Sequence, residues 1–209
     1  MMAGYWDKTS SVPSTLGLDA KVKAYLRPGD RILDCGCGAG RLLGELAREG
    51  RPAVGVDRNG PSLAVARREG LAVVRADLAR LPFRPGAFDA AILHAVLTTV
   101  PTPAARLAVL AEAARIGCRL LCLADFLRND DLPYYRSRYE QGLAETGEPG
   151  SFVVREGGTA LYVAHHFTLD ELTGLLDLAG FRPLHVATPP VRTRSGNIVT
   201  GVVLAAAAL

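Results

Sequence analysis

Three aspartates and a run of glycines are the residues of this chain whose types and spacing best suit ligand binding. Asp34 precedes a loop in which Gly36, Gly38 and Gly40 alternate with other residues, and Asp57 and Asp77 each follow a short apolar run. Glycines let a ligand approach the backbone, and a carboxylate offsets positive charge or accepts hydrogen bonds. The pattern predicts a pocket for a ligand that carries positive charge.

The elements that would position these residues follow from the alternation of apolar and amphipathic stretches after Arg31, which is typical of strand–helix units in a parallel sheet. The predicted strands are 31–34, 53–56, 71–75, 88–93 and 119–124. Helices are predicted over 19–26, 40–49, 61–69 and 103–115, several of them ended by glycine. Ligands of open parallel sheets bind at the carboxyl ends of the strands, so the three aspartates should meet at that edge.

The alternation of strand and helix patterns ends after Asp125, and residues 126–164 form a predicted insertion. It contains a helix over 133–145 and a hairpin of strands 152–154 and 161–164. A helix over 168–179 follows, begun by Thr168 and Glu171 at capping-box spacing. The connection between the last predicted strands, 181–187 and 198–206, is too short for a helical crossover, so they should pair antiparallel. We therefore predict one α/β domain over 1–209. Its doubly wound, mostly parallel seven-stranded sheet has an antiparallel last strand, with the small helix-and-hairpin insertion after the fifth strand.

Composition narrows the class of protein. The 209 residues carry a formal charge of only +3, and the basic residues are scattered, which disfavours nucleic acid as a partner. No amino-terminal leader and no membrane-spanning run is expected, which makes the cytoplasm the predicted location. The four cysteines lack the spacing of structural zinc sites, so we predict buried thiols and no metal. The oligomeric state stays open.

A glycine-rich loop also occurs in dinucleotide-binding folds, where G-x-G-x-x-G places a pyrophosphate at a helix start. Counted from Gly36, the third position of that motif is Arg41, whose bulk opposes the close helix–strand packing that glycine or alanine allows. Asp34 is also poorly suited to a pyrophosphate, but it suits a cofactor with an ammonium and a sulfonium group. A nicotinamide-dependent oxidoreductase is therefore the lesser alternative.

The segment from Asp34 to Gly40 matches the Asp-x-Gly-x-Gly-x-Gly motif of the class I S-adenosylmethionine (SAM)-dependent methyltransferases, and the resemblance spans about 18–209. It implies that SAM is the cofactor, that Asp57 binds its ribose hydroxyls and that Asp77 meets the adenine amino group. The amide of Leu78 would then face the adenine ring. Taken singly, aspartates at strand ends are often only turn residues.

Histidines near the same edge are candidates for removing a proton from the methyl acceptor, because their ordinary pKa lies near neutrality. His94 follows the fourth predicted strand, at the position that lies beside the sulfonium in the resembled family, and it is the first candidate. The alternative is that His94 only packs against the cofactor. His166 is the second candidate and His165 its neighbour, although capping and packing explain such residues more often.

We predict that loops select the methyl acceptor, because the specificity of enzymes tends to reside in loops. The chain from His94 to Leu97 lacks the Asn/Asp-Pro-Pro-aromatic pattern of enzymes that methylate exocyclic amines of bases, which favours a small-molecule or peptide acceptor. A lid over residues 1–15 and the insertion would contact this acceptor through candidate residues Tyr5, Trp6, Asp125, Tyr134, Arg138 and Tyr139. The tyrosines of the predicted helix could instead form an ordinary packed face. A non-catalytic SAM-binding protein is the remaining alternative, and the accepting atom stays open.

Overall fold

A computed structural model describes residues 4–8, 16–193 and 196–209, and it shows a central sheet whose strand order is β3-β2-β1-β4-β5-β10-β8. The strands of this path are β1 Ile32–Cys35, β2 Ala53–Asp57, β3 Val73–Arg75, β4 Ala90–His94, β5 Leu120–Phe126, β8 Phe181–Ala187 and β10 Ile198–Ala208. A short strand β9, Pro190–Arg192, pairs with the start of β10. The sequence analysis had treated that segment as part of a loop.

Pairing within the sheet agrees with the predicted class. Strands β1 to β5 pair parallel to one another, and β10 runs antiparallel to both β5 and β8. The prediction of a mostly parallel seven-stranded sheet with an antiparallel last strand is confirmed. Every residue of β1 is buried, as expected for a strand covered by helices on both faces, whereas the edge strand β8 alternates between exposed and half-buried positions after the buried Phe181.

The helices are α1 Tyr5–Lys8, α2 Ala20–Lys23, α3 Arg41–Arg48, α4 Gly60–Arg68, α5 Pro103–Arg115, α6 Pro133–Thr146 and α7 Leu169–Leu178, with a 3₁₀ turn at Leu97–Thr99. Side chains cap the starts of several of them: Asn59 accepts from the Ser62 amide, and Thr168 and Glu171 form the predicted capping box. The leading helix α2 is shorter than predicted. Among the residues that the structure describes, no helix has the length and apolar character needed to cross a bilayer.

The insertion after β5 consists of α6 and an antiparallel hairpin of β6 Ser151–Glu156 and β7 Thr159–His165. Helix and hairpin pack closely at Gly142, because a Cβ atom added there would lie 2.8 Å from the Cα atom of Phe152 and would overlap the Ser151 carbonyl oxygen. Only glycine fits this position. The hairpin is therefore held against α6 by backbone contact.

We predict that Gly142→Ala lowers the free energy of unfolding by about 3 kcal/mol, the upper part of the range for overpacking, because a backbone neighbour has little room to move. The control is Gly174→Ala on α7, where a Cβ atom meets nothing within 4 Å. That change should raise stability by up to about 1 kcal/mol through helix propensity. Urea unfolding measures both, and equal stabilities for the two variants would contradict the close packing of α6 on β6.

Candidate active site

A cavity of about 860 Å³ lies at the carboxyl ends of β1 to β4 and is bordered on its other side by the insertion. The structure brings together on its wall twelve of the predicted site residues: Tyr5, Trp6, Asp34, Gly36, Gly38, Asp57, Asp77, Leu78, His94, Tyr134, Arg138 and His166. Three others, Gly40, Asp125 and Tyr139, do not border it. The wall therefore includes most of the residues predicted to bind the cofactor and most of those predicted to contact the acceptor.

The glycine loop between β1 and α3 is tied to the end of β2. The amides of Gly36 and Cys37 donate to the Val56 carbonyl oxygen, at 2.7 and 3.1 Å, and the Gly38 amide donates to Oδ2 of Asp57 at 2.8 Å. Gly36 and Gly38 both have positive φ, which other residues adopt only with strain. Gly36 and Gly38 border the cavity, so no Cβ atom covers the backbone at these two positions.

Gly40 has a role in packing. It caps the start of α3 with φ of 84°, and a Cβ atom there would lie 2.5 Å from Cδ1 of Leu71 and 3.2 Å from Cβ of Ala66. Glycine is needed at this position so that α3 can pack near α4. The structure thus shows a packing role for Gly40, and its predicted place in the cofactor pocket stays a prediction.

The carboxylate of Asp34 lies in an environment that disfavours its ionised form. Its side chain is buried, and Oδ2 has no hydrogen-bond partner among the described residues. Burial and then the neighbouring charge of Asp57 raise the pKa of Asp34 to about 7, while the charge of Arg41 opposes the rise. A buried carboxylate oxygen without a partner on a cavity wall favours a cationic ligand, which is the chemistry that the sequence predicted.

Asp57 and Asp77 border the cavity and also satisfy their own turns. Oδ1 of Asp57 accepts from the Asn59 amide and Oδ1 of Asp77 accepts from the Ala79 amide, both at 2.9 Å. The turn role and the ligand role are therefore compatible, because each carboxylate has acceptor capacity beyond the bonds to backbone amides.

The histidines on the wall are poorly matched to proton removal. Burial, followed by the charge of Arg41, lowers the pKa of His94 to about 4, and the Leu16 backbone partly opposes this shift. Burial, followed by the charges of His165 and Arg138, lowers the pKa of His166 to about 3. Both rings are neutral near pH 7, and a base with so low a pKa is a weak proton acceptor there. The lowered pKa values favour the packing alternative, and the general-base role of His94 and His166 stays a prediction.

Tyr139 fixes the orientation of His166 instead of bordering the cavity. Its buried hydroxyl accepts from the Asn129 amide at 3.3 Å and lies 2.8 Å from Nδ1 of His166. Since the described residues offer this hydroxyl no other acceptor, it donates to Nδ1, and the neutral ring carries its proton on Nε2. Tyr139 thus positions His166 and leaves it with a hydrogen-bond donor, whereas the contact of Tyr139 with the acceptor stays a prediction that the cavity lining does not support.

Asp125 also lies behind the wall. It is fully buried at the end of β5, where its carboxylate accepts from the amides of Thr98 at 3.1 Å and Phe126 at 2.9 Å. Burial raises the pKa of Asp125 to about 7, and the bonds from backbone amides oppose the rise. Asp125 thus holds the chain after β4 in place, where Thr98 borders the cavity, and its predicted contact with the acceptor stays a prediction.

Comparison with known proteins assigns the fold to a family. The family profile described as a methyltransferase domain matches residues 33–121. The crystal structure of a SAM-dependent methyltransferase from Methanosarcina mazei is 32% identical, covers 93% of this chain and 99% of its own, and superposes with a TM-score of 0.89. The chain belongs to the SAM-dependent methyltransferases. This confirms the predicted class I fold and SAM as the cofactor, and it leaves the nicotinamide alternative without support.

Curated relatives of this methyltransferase differ in what they act on. The demethylmenaquinone methyltransferase of Beutenbergia cavernae is 36% identical over 60% of this chain and 55% of its own length. The probable tRNA methyltransferase 9B of Bos taurus is 32% identical over 62% of this chain and 32% of its own length. This chain thus spans about half or less of the curated relatives that it matches.

The described part of the predicted lid forms an aromatic cluster with the insertion. The rings of Tyr5 and Trp6 lie 5.0 and 4.7 Å from the ring of Tyr162 in β7, and Asp7 forms an ion pair with Arg58 at 2.7 Å. The Trp6 indole N–H is buried without a partner among the described residues, so it is an available donor at the wall. The rest of the predicted lid, 1–3 and 9–15, lies outside the described residues.

The sequence analysis missed Tyr162 and also a buried polar network beneath the insertion of this methyltransferase. Arg106 is fully buried and binds Glu148 through two bonds of 2.6 and 3.0 Å. His165 lies 2.9 Å from the Ser151 hydroxyl through Nδ1 and 2.8 Å from Glu171 through Nε2. No short-range pattern marks this set, because its members are far apart in the chain.

Glu148, His165 and Glu171 offer ligand atoms within 4.8 Å of one another, the spacing of a metal site. Both oxygens of Glu148 are already bound by Arg106, and the two ring nitrogens of His165 contact different residues. A cation would have to compete with the buried guanidinium of Arg106. We therefore interpret the three residues as part of an internal hydrogen-bonded network.

Proposed function

We propose that this protein transfers a methyl group from SAM to a small-molecule or short-peptide acceptor bound under the insertion. One observation carries the proposal: a single cavity borders both the aspartates that follow β1 to β3 and the aromatic residues of the insertion. Its volume of about 860 Å³ lies in the range of small-molecule sites, roughly 300–1,000 Å³. An open acceptor end also weighs against the alternative of a SAM-binding protein without catalysis.

At the cofactor end, Asp34 supplies the charge that suits the cationic groups of SAM, because one of its oxygens is buried and unpartnered. Asp57 is proposed to accept from the ribose hydroxyls, and Asp77 with the Leu78 amide to recognise the adenine ring. Bound SAM supplies an electrophilic methyl group. The glycine loop lets these groups approach the backbone, which is why the three aspartates and the loop form one binding surface.

At the acceptor end, this chain contributes positioning and exclusion of water more than proton transfer. A direct displacement gains much of its rate from holding the two reactants in line, without a protein nucleophile. Neutral His94 is proposed to pack beside the cofactor, and neutral His166 to donate a hydrogen bond from Nε2. An acceptor that is already deprotonated at neutral pH fits such a site best.

A small acceptor is favoured over a nucleic acid by the shape of the site and the charge of the chain. The insertion and the described part of the lid, joined by the Tyr5–Trp6–Tyr162 cluster, border the cavity from the side opposite the sheet. The formal charge of +3 provides little attraction for a phosphate backbone. All four cysteines are free and buried, which fits a reducing compartment and supports the proposed cytoplasmic location.

The first test is cofactor binding by calorimetry, followed by turnover of labelled SAM with a metabolite extract as the acceptor source. We expect SAM or S-adenosylhomocysteine to bind in the low micromolar range or tighter, about −8 kcal/mol or more favourable. Transfer of label to a small product supports the proposal. Absence of cofactor binding at millimolar concentration contradicts it, and binding without transfer to any acceptor favours the non-catalytic alternative.

Replacing Asp57 by Ala should weaken binding of S-adenosylhomocysteine by roughly 1.5–3 kcal/mol, the scale of hydrogen bonds to a charged group. The matched control is Asp177→Ala, which removes an exposed carboxylate of α7 that lies off the cavity wall. Calorimetry measures both dissociation constants, and thermal unfolding checks the folding of each variant. An unchanged constant for Asp57→Ala would remove this residue from the ribose role.

A further inference from the structure

Arg138 stands out among the charged residues that border the cavity. Its guanidinium carbon lies 4.5 Å from the ring centroid of Phe152 and 5.4 Å from that of Tyr134, and Nη1 donates to the Tyr134 hydroxyl at 2.6 Å. No carboxylate of the described residues pairs with it. Since a guanidinium has five N–H donors in a fixed plane, most of the donors of Arg138 are free at the cavity wall.

The other arginines on the wall differ in this respect. Arg41 pairs with Glu45 at 3.1 Å, Arg58 with Asp7 at 2.7 Å and Arg155 with Glu145 at 2.9 Å. Within the described part of the chain, Arg138 is thus the one cavity-lining arginine without a carboxylate partner. Stacking on aromatic rings holds its plane in place while its charge stays available.

His166 adds a neutral donor near this cation. Both side chains contact the same ring, because the Arg138 guanidinium carbon and the His166 ring centroid lie 4.5 and 5.0 Å from the ring centroid of Phe152. Nδ1 of His166 is taken by the Tyr139 hydroxyl, so the donor is Nε2–H, which has no partner among the described residues. The His166 ring stacks on Phe126 with centroids 5.5 Å apart and meets Phe152 edge-on at 5.0 Å.

We propose that the acceptor of this methyltransferase is a flat, conjugated small molecule that carries a carboxylate, held by Arg138 and by Nε2–H of His166. The planar guanidinium matches a carboxylate with two parallel bonds, and the surrounding aromatic rings match a flat body. The aspartates at the cofactor end repel an anion, so the carboxylate lies at the insertion end and the opposite end of the acceptor faces the cofactor. This inference deepens the proposed function and rests on it.

The test uses the full chain saturated with S-adenosylhomocysteine and compares three probes by calorimetry. 2-Naphthoate is flat and anionic, 2-naphthalenemethanol is flat and uncharged, and cyclohexanecarboxylate is anionic but not flat. We expect 2-naphthoate to bind at least about tenfold more tightly than either of the others, the effect of roughly 1.4 kcal/mol. Equal binding of the two naphthalene probes would overturn the role of the carboxylate.

Arg138→Gln should remove the preference for 2-naphthoate over 2-naphthalenemethanol and leave the affinity for S-adenosylhomocysteine within about threefold. Arg136→Gln is the matched control, because Arg136 lies on the same helix, is exposed, and does not border the cavity. This control should keep the preference. Arg138→Lys retains the positive charge but not the planar guanidinium, so it should keep part of the preference for 2-naphthoate.

Two outcomes separate this inference from the proposed function. If Arg138→Gln weakens binding of S-adenosylhomocysteine tenfold or more, Arg138 belongs to the carboxylate of the cofactor, and the acceptor inference is overturned while the methyltransferase proposal stands. If the unaltered protein does not bind S-adenosylhomocysteine, the proposed function itself fails. If both Arg138 variants lower the melting temperature and bind both naphthalene probes equally, the residue is structural and the inference is overturned.

Discussion

S-Adenosylhomocysteine is expected to bind on the order of fiftyfold more weakly at pH 5 than at pH 7, and Asp34→Asn is expected to remove most of this dependence. The reason is the buried carboxyl of Asp34, whose pKa is raised to about 7 in the ligand-free protein. The ammonium group of S-adenosylhomocysteine pairs with the ionised form of Asp34, so a proton must leave below pH 7 before binding. The histidines on the wall barely titrate in this range, because the pKa is about 4 for His94 and about 3 for His166.

Calorimetry across this pH range, repeated in buffers of different ionisation enthalpy, measures both the affinity and the proton released. Asp125→Asn is the matched control, because the pKa of Asp125 is also raised to about 7 but this residue lies off the cavity wall. The control should retain the pH dependence. If Asp34→Asn and Asp125→Asn respond to pH alike, Asp34 does not bind the cation.

The raised pKa of Asp34 also affects stability, but in the direction opposite to its effect on ligand binding. A carboxyl whose pKa rises on folding binds its proton more tightly in the native state, so its contribution to stability falls as the pH rises from about 4 to about 7. Relative to the unaltered protein, Asp34→Asn should therefore gain stability over this range and reach its full advantage above pH 7. Better stability together with weaker cofactor binding is the signature of a charge kept for a ligand.

Arg106→Leu is expected to lower the free energy of unfolding by about 3–5 kcal/mol, because it leaves Glu148 beneath the insertion without its buried counter-charge. Arg31→Leu is the matched control. Arg31 binds Asp89 through two bonds of 2.8 and 2.9 Å, but its side chain is 53% exposed, so the loss of stability should be far smaller than for Arg106→Leu.

Urea unfolding measures these variants and the double variant Arg106→Leu with Glu148→Leu. Replacing both partners removes the unpaired charge, so the double variant should be less destabilised than the sum of the single changes. Arg106→Leu could instead lower the free energy of unfolding no more than Arg31→Leu does. In that case the Arg106–Glu148 pair would not hold the insertion to α5, and the Glu148 carboxylate would have to be solvated.

The sequence by itself determined the sheet and one half of the site. Apolar runs, caps and glycine stops are local signals, so the predicted ends of most strands and helices lie within about two residues of those observed. Parallel strands present their carboxyl ends at one edge, so Asp34, Asp57 and Asp77 could be brought together without knowledge of the packing. The motif from Asp34 to Gly40 then identified the family.

Tertiary structure decided the part of the cavity wall that the insertion forms. Whether Tyr139 or Arg138 faces the cavity depends on how α6 packs against the hairpin, and helical spacing alone allows either. The ionisation of His166 depends on burial and on charges that include the distant Arg138, and the partner of Arg106 lies 42 residues away. Burial and long-range pairing arise only when the elements pack together, which is why no local pattern could reveal them.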